Sequence, residues 1–445
     1  MQPSKRAQLA IFFTVFVDLL GFGIVIPILP LYAKGLALHP APWMAWVNQT
    51  LGLGDPGVFW AGATMVLFSL AQFFAGPILG RISDLVGRRP VLLVSLLGTC
   101  ASYLVLGTAG SIGWVLASRL LGGFTGGNIS VAQAAMADSS SPKERSKVLG
   151  MIGAAFGLGF VFGPAMAGIL SGLDISHRLL ATHGWYLPFL VAAGLSFTAA
   201  MLVLVWLPET LTPSTKTHAR INRGHAVLRA LKRPGMPQIL GIALLAMTGF
   251  AMMEGTFSLL ANTRFGLGER EVGFYLFLPL GLLISIYQGG LVRLVVKWLP
   301  ERIAQFAGLL MLAVALPFIA FAPWKWPFVL LMIPIAWGQG MNNTATAALA
   351  SQLTPPDEQG ALFGVLQAMQ GLGRIAGPLV GSLAFARRGY AAPYMWASAC
   401  ICLALVLALS VIRTARVVQD EATSSRTLSL ISRPVSAAPP RLELP

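Results

Sequence analysis

Hydropathy divides this chain into twelve stretches of about 20 mostly apolar residues, the length one helix needs to cross a bilayer. They run over roughly 7–33, 58–80, 91–109, 112–137, 148–171, 185–207, 237–260, 271–293, 303–321, 326–350, 361–386 and 392–413. Only 11% of the residues are charged, against about 25% in a soluble globular protein. The expected fold class is therefore an all-α membrane protein with twelve transmembrane helices. Two connections, at 109–111 and 323–325, are short turns between antiparallel helices. The longest polar connection holds Lys216, Arg220, Arg223, Arg229, Lys232 and Arg233. It splits the chain into an N-terminal six-helix half (1–207), a basic linker (208–236) and a C-terminal six-helix half (237–413). A tail rich in Ser, Pro and Arg (414–445) is expected to be disordered and cytoplasmic.

The formal charge of +15 invites a nucleic-acid reading. Its distribution argues otherwise. With both termini cytoplasmic, the inner connections hold 22 basic residues and the outer ones 7, while Arg119 and Arg374 fall inside spans. That is a positive-inside bias. The basic residues are scattered among short loops, with no stripe interleaved with aromatics. The expectation is a multi-pass cell-membrane protein, in a bacterium an inner-membrane one, with the lipid bilayer as its surroundings and no nucleic-acid partner. Lys5 and Arg6 precede a first span without a convincing cleavage site, so that span reads as retained. Trp43 and Trp46 in the first outer loop suit an aromatic anchor at the membrane surface. Cys100, Cys400 and Cys402 lie in apolar runs and give no disulfide framework. There is no Walker-type loop, and the five histidines lack metal-ligand spacing, so no enzyme, cofactor or metal is expected.

A shift of 214 residues aligns the halves. Gly126 and Asn128 fall on Gly340 and Asn342, and Gly150, Gly157, Leu158, Gly159, Gly163 and Pro164 fall on Gly364, Gly371, Leu372, Gly373, Gly377 and Pro378. Spans four and five thus repeat as ten and eleven. An even number of spans per copy gives parallel repeats about an axis along the membrane normal, which places a substrate near mid-depth between the halves.

The loop Gly80-Arg81-Ile82-Ser83-Asp84-Leu85-Val86-Gly87-Arg88-Arg89-Pro90 joins spans two and three. It resembles the G-x-x-[SA]-D-x-x-G-R-[RK] loop of the major facilitator superfamily. In that family the loop is a cytoplasmic latch that holds the outward-facing state. The resemblance implies a latch of Gly80, Asp84, Gly87, Arg88, Arg89 and Asp138, with Arg88 or Arg89 paired to either aspartate. The matching loop of the second half, from Gly289 to Arg293 and on to Lys297, lacks the acidic position, so the latch is expected to be asymmetric. Arg119-Leu120-Leu121-Gly122-Gly123 resembles the family's R-x-x-x-G element. In span five, Gly150, Gly159, Gly163, Pro164 and Gly168 resemble the antiporter signature of the drug:proton antiporter families, with Ala167 replacing one glycine. The opening Asp18-Leu19-Leu20-Gly21-Phe22-Gly23 looks like the twelve-span tetracycline-efflux branch. That branch commonly has an acidic residue just before the tyrosine of span three; here the pair is Ser102-Tyr103, which argues against tetracycline itself.

Ionisable residues inside spans are functional candidates by default. Asp18 is the first choice for a proton carrier and Glu254 the second, with Arg119 beside them. For Arg119 the plainer alternative is snorkelling to the outer surface. Arg374 suits an anionic group or a structural salt bridge. The polar cavity candidates are Gln72, Asn128, Gln133, Tyr287, Gln288, Gln339, Asn342, Asn343, Gln367 and Gln370, some of which would be interhelical hydrogen bonds only. Phe22, Phe68, Phe250 and Trp337 suit an apolar wall. The expected function is a monomeric secondary transporter, a proton-coupled antiporter exporting small amphipathic drugs or metabolites by alternating access. The alternatives are a sugar or metabolite importer or facilitator on the same fold, and a non-transporting receptor or scaffold.

Overall fold

The computed structural model describes residues 3–38, 40–140, 145–173, 186–210, 233–355 and 358–431. These residues are helical apart from short connections, and no strand occurs among them. The helices of the first half are α1 (Pro3–Leu36), α2 (Pro42–Leu51), α3 (Pro56–Val86), α4 (Arg88–Gly107), α5 (Ile112–Thr125), α6 (Ile129–Asp138), α7 (Arg145–Ser171) and α8 (Leu187–Trp206). Those of the second are α9 (Met236–Phe265), α10 (Glu269–Val272), α11 (Leu278–Ile286), α12 (Val292–Trp298), α13 (Glu301–Phe321), α14 (Lys325–Leu330), α15 (Met332–Gln352), α16 (Gln359–Arg388) and α17 (Ala392–Ile431). Apart from α2, they form twelve successive helical runs at the places of the twelve expected spans.

Seven runs, those of α1, α3, α4, α8, α9, α13 and α17, contain helices long and apolar enough to cross a membrane by length and composition. Several others are broken inside the span. Gly126–Asn128 forms a 3-10 turn between α5 and α6, and π-turns at Gly273–Phe277 and Tyr287–Leu291 flank α11. Such irregular turns within helices are frequent at functional positions. Prolines open α2, α3, α8 and α9, where a missing N–H costs nothing.

The structure adds two features to the sequence reading. The first outer loop contains the helix α2, with Trp43 and Trp46 exposed on it. The last helix does not stop near Arg413; its backbone stays helical to Ile431, because no Pro or Gly follows Pro393 until Pro434. Residues 211–232 of the linker and 432–445 of the tail lie outside the described residues.

The bundle has two ends: a latch end with the Asp84 loop, and a far end with α2. Hydrogen bonds join the halves at the far end. The backbone N–H groups of Gly54 and Asp55 donate to the Ala386 carbonyl at 2.8 and 3.1 Å, Arg387 Nε donates to Leu51 O at 2.7 Å, and Ser258 Oγ donates to Pro27 O at 3.0 Å. At mid-depth Ser285 Oγ donates to Gly157 O at 3.2 Å. Among the described residues, the ion pairs at the latch end are Arg88 with Asp84 and Asp138 inside the first half, and Arg233 of the linker with Glu358 of the second half.

Candidate functional site

The first half gathers its intramembrane polar groups around α1. Gly123 and Gly127 let α5 and the 3-10 turn lie against the backbone of α3, since a side chain there would meet Phe68 or Gly76. This places Asn128 so that its side-chain amide meets the carboxylate of Asp18, which is half-buried on α1. Arg119 is 2% exposed. It does not snorkel to the surface. Its guanidinium lies between the rings of Phe68 and Tyr103, at 5.5 and 5.8 Å from their centroids, an arrangement stabilised by the ring quadrupoles. Its side-chain hydrogen bonds are long ones to Ser118 Oγ, at 3.4 and 3.5 Å. Phe22 stacks on Phe68 at 5.6 Å. Ser102 Oγ donates to Ser118 O at 2.8 Å, so the position before the tyrosine joins α4 to α5.

In the second half, Glu254 of α9 and Arg374 of α16 are both half-buried, and their charges act on one another. The repeat shows their depth. Gly159 of α7 meets Leu19 and Leu20 of α1; its mate Gly373 of α16 meets Met247 and Thr248 of α9. Asp18 directly precedes Leu19, whereas Glu254 follows Met247 by seven residues. At 1.5 Å per residue, Glu254 stands about 12 Å nearer the far end than the position equivalent to Asp18. The two carboxylates are therefore staggered in depth.

The antiporter-like residues are contact points. A Cβ on Gly163 would lie 2.6 Å from Gly23 Cα, and one on Gly168 would lie 2.8 Å from the ring of Phe274 in the first π-turn. Together with Gly159, these glycines seat α7 on the helix that carries Asp18 and on the other half. Pro164 lies inside α7; Gly150 is helical there, and its surroundings lie outside the described residues.

In the latch loop the connection between α3 and α4 is one residue, Gly87, whose φ of 120° requires glycine. Arg88 makes both pairings, 2.6 Å to Asp84 and 3.2 Å to Asp138, and its Nη1 donates to Ser83 Oγ at 2.6 Å. Arg89 instead donates to Leu204 O at 2.5 Å. Gly80 is loosely packed, with Ser130 its nearest neighbour. Glu209, at the start of the linker, accepts the N–H groups of Arg88 and Arg89. Sequence reasoning missed Glu209; it belongs to no motif and lies far along the chain.

The remaining polar candidates separate into groups. Gln72 donates to Gly126 O at 2.9 Å and is interhelical. Asn342 accepts from Thr346, which accepts from Gln305 of α13, so it faces a neighbouring helix and not a site shared with its repeat mate Asn128. Tyr287 packs on Gly340, with its hydroxyl 3.5 Å from Thr344 Oγ1. Gln339 is buried, and its Oε1 has no partner among the described residues; Trp337 Nε1 is in the same state. Gln133, Gln288 and Gln367 are exposed, all in the latch-side parts of their spans, while Asn343 and Gln370 are half-buried. Phe250 is part of the apolar core.

Long apolar helices packed around ionisable groups in mid-span define a polytopic membrane protein. A profile of the Major Facilitator Superfamily matches residues 11–338 and again 301–441, and the chain belongs to that family. Its members are transporters, not enzymes. The class B tetracycline resistance protein of Escherichia coli is 30% identical, over 85% of this chain and 88% of that one. Major facilitator superfamily domain-containing protein 10 of Bos taurus is 29% identical, over 93% of each chain. Among solved structures, the human organic anion transporter MFSD10 superposes with a TM-score of 0.67 at 25% identity, covering 92% of this chain and all (100%) of that one. A bacterial homologue of the lysosomal transporter Spinster, inward-facing and occupied, gives 0.71 at 16% identity over 93% and 98%, which bears on the fold alone.

Proposed function

We propose that this transporter is a proton-coupled antiporter that exports small amphipathic molecules, with Asp18 as the proton carrier. The observation that carries this reading is the setting of Asp18. It is half-buried at mid-span, faced by Asn128, and borne by the helix against which the antiporter-like glycines of α7 pack. A carboxylate there gains or loses a charge with each proton, and the halves that meet around it respond to that charge. Glu254, nearer the far end and opposed by Arg374, is the second proton site. The exposed amides of Gln133, Gln288 and Gln367 line an aqueous vestibule open at the latch end, because amides facing lipid would be costly. The latch end is cytoplasmic by the charge bias. The latch of Asp84, Arg88 and Asp138 stands at the mouth of this vestibule and holds it shut in the outward-facing state, the linker joins halves 1–207 and 237–413, and the transporter acts as a monomer.

Proteoliposomes with an imposed pH gradient and a panel of labelled drugs and metabolites test this. Transport of one compound against its gradient, driven by proton flow in the opposite direction, is expected. Asp18→Asn is expected to abolish it at normal protein level while leaving substrate exchange at equal pH. Full proton-driven transport by Asp18→Asn would reject the role. Cotransport of substrate with protons would favour the importer reading. The relative described as an organic anion transporter is the reason to include organic anions in the panel.

A further inference from the structure

Asp18 and Arg119 are opposite charges from the middle of the first half, yet neither is the other's partner. Asp18 is met by Asn128, and Arg119 by Ser118 and two aromatic rings. The group common to both is Tyr103 of α4, 4% exposed. One face of its ring carries the Arg119 guanidinium, 5.8 Å from the centroid. Its hydroxyl edge lies over Gly21, where a Cβ would sit 3.3 Å from Cε2 and 3.5 Å from the hydroxyl oxygen. Gly21 follows Asp18 by three residues and shares its helix face. The charges of Asp18 and of Arg119 both act on Tyr103.

We propose that Tyr103 is a positioning residue, a spacer whose ring keeps the Arg119 guanidinium from closing on the Asp18 carboxylate. The inference rests on the reading of Asp18 as proton carrier. A carboxylate closed on a guanidinium stays ionised and ceases to exchange protons. A guanidinium held by ring faces keeps its charge without that pairing, because cation–π attraction compensates part of its lost hydration. Gly21 makes room for the ring; a larger residue there would displace it. The other helices packed around Asp18 supply no competing charge at its depth. The span of α7 has no titratable residue, nor has α3 before Arg81; Tyr186 at the start of the α8 span, Glu254 of α9 and Glu269, Arg270 and Glu271 of α10 lie nearer the far end, and Asp138 of α6 lies at the latch end.

The test compares Tyr103→Ala, Tyr103→Phe and Gly21→Ala in proteoliposomes, each measured for pH-gradient-driven transport and for substrate exchange at equal pH. Tyr103→Ala is expected to lose at least about tenfold of gradient-driven transport. The pH at half-maximal transport moves down by about one unit or more, the size of effect a new ion pair has on a carboxylate. Exchange at equal pH persists. Tyr103→Phe keeps the ring and is expected to retain both the rate and the midpoint. Gly21→Ala pushes the ring aside by a few tenths of an ångström and shifts the midpoint the same way by less; it serves if Tyr103→Ala fails to fold. An unchanged midpoint in Tyr103→Ala, or in Gly21→Ala where the former cannot be purified, overturns the spacer while leaving proton coupling intact. So does a Tyr103→Phe variant as impaired as Tyr103→Ala. Wild-type transport indifferent to a pH gradient overturns the proton-carrier reading and the spacer together.

Discussion

Glu209 accepts the backbone N–H of Arg88 at 2.9 Å although 121 residues separate them. Its other oxygen takes the N–H of Arg89 at 3.2 Å. These donors belong to the first turn of α4, where N–H groups have no partner within the helix and a negative charge is favoured. A one-residue connection leaves no room for an ordinary capping side chain, since Gly87 occupies that place. The first residues of the linker thus fix the helix that presents Arg88 to Asp84 and Asp138.

Glu209→Ala is expected to cost about 1 kcal/mol, as for loss of a helix cap. A lowered thermal midpoint of the purified protein in detergent checks it. Glu209→Gln keeps an acceptor and is expected to fall between that variant and the wild type. A Glu209→Ala protein that melts with the wild type would show that the contact contributes nothing.

The seating of α7 on α1 gives a second expectation. Gly163 lies against Gly23 with no space for a methyl group, and its mate Gly377 lies equally close to Ala251 and Met252 of α9. Overpacking at such contacts costs about 1–3 kcal/mol. Gly163→Ala is expected to lower the thermal midpoint and, by displacing the helix with Asp18, to reduce transport in the protein that folds. Gly377→Ala is expected to lower it similarly. Wild-type stability and transport in both variants would remove the close contact as the reason for these glycines.

The fold was legible because bilayer thickness sets a helix length that can be read along the chain. The 214-residue repeat was legible because backbone contacts admit only small residues, so Gly163 and Gly377 occupy the same register. Asp18, Arg119, Glu254 and Arg374 stood out because charge in an apolar run is rare. Their partners did not. Tyr103 was a landmark in its span and gave no sign of a place between Asp18 and Arg119, since that depends on how α4, α5 and α1 pack. Glu209 sat among linker residues with no periodicity to mark it. Asn342 was grouped with Asn128 by register, yet its helix turns it toward α13; register fixes depth, and side-chain direction follows from local packing.

The far end gives a prediction with a defined sign. Glu269 lies in the connection ahead of span eight, and its charge reaches Tyr32 of α1, so it stands at the seam between the halves. Burial pushes its carboxyl up from the ordinary 4.5 to about 7. If opening the seam wets Glu269, the closed arrangement holds more protons than the open one between those two values. Closure is then fully supported below about pH 4.5, weakens as pH rises to about 7, and changes no further above it through this group. Spin labels on cysteines at exposed Trp46 and Trp326, with the three native cysteines replaced, report the width of the seam. The separation is expected to lengthen between pH 5 and pH 7.5, about the span of that titration. Glu269→Gln is expected to hold one separation throughout. Arg387→Ala, which removes the bond to Leu51 O, is expected to lengthen it at every pH. A separation that varies equally with pH in the wild type and in Glu269→Gln would exclude Glu269 as the group responsible.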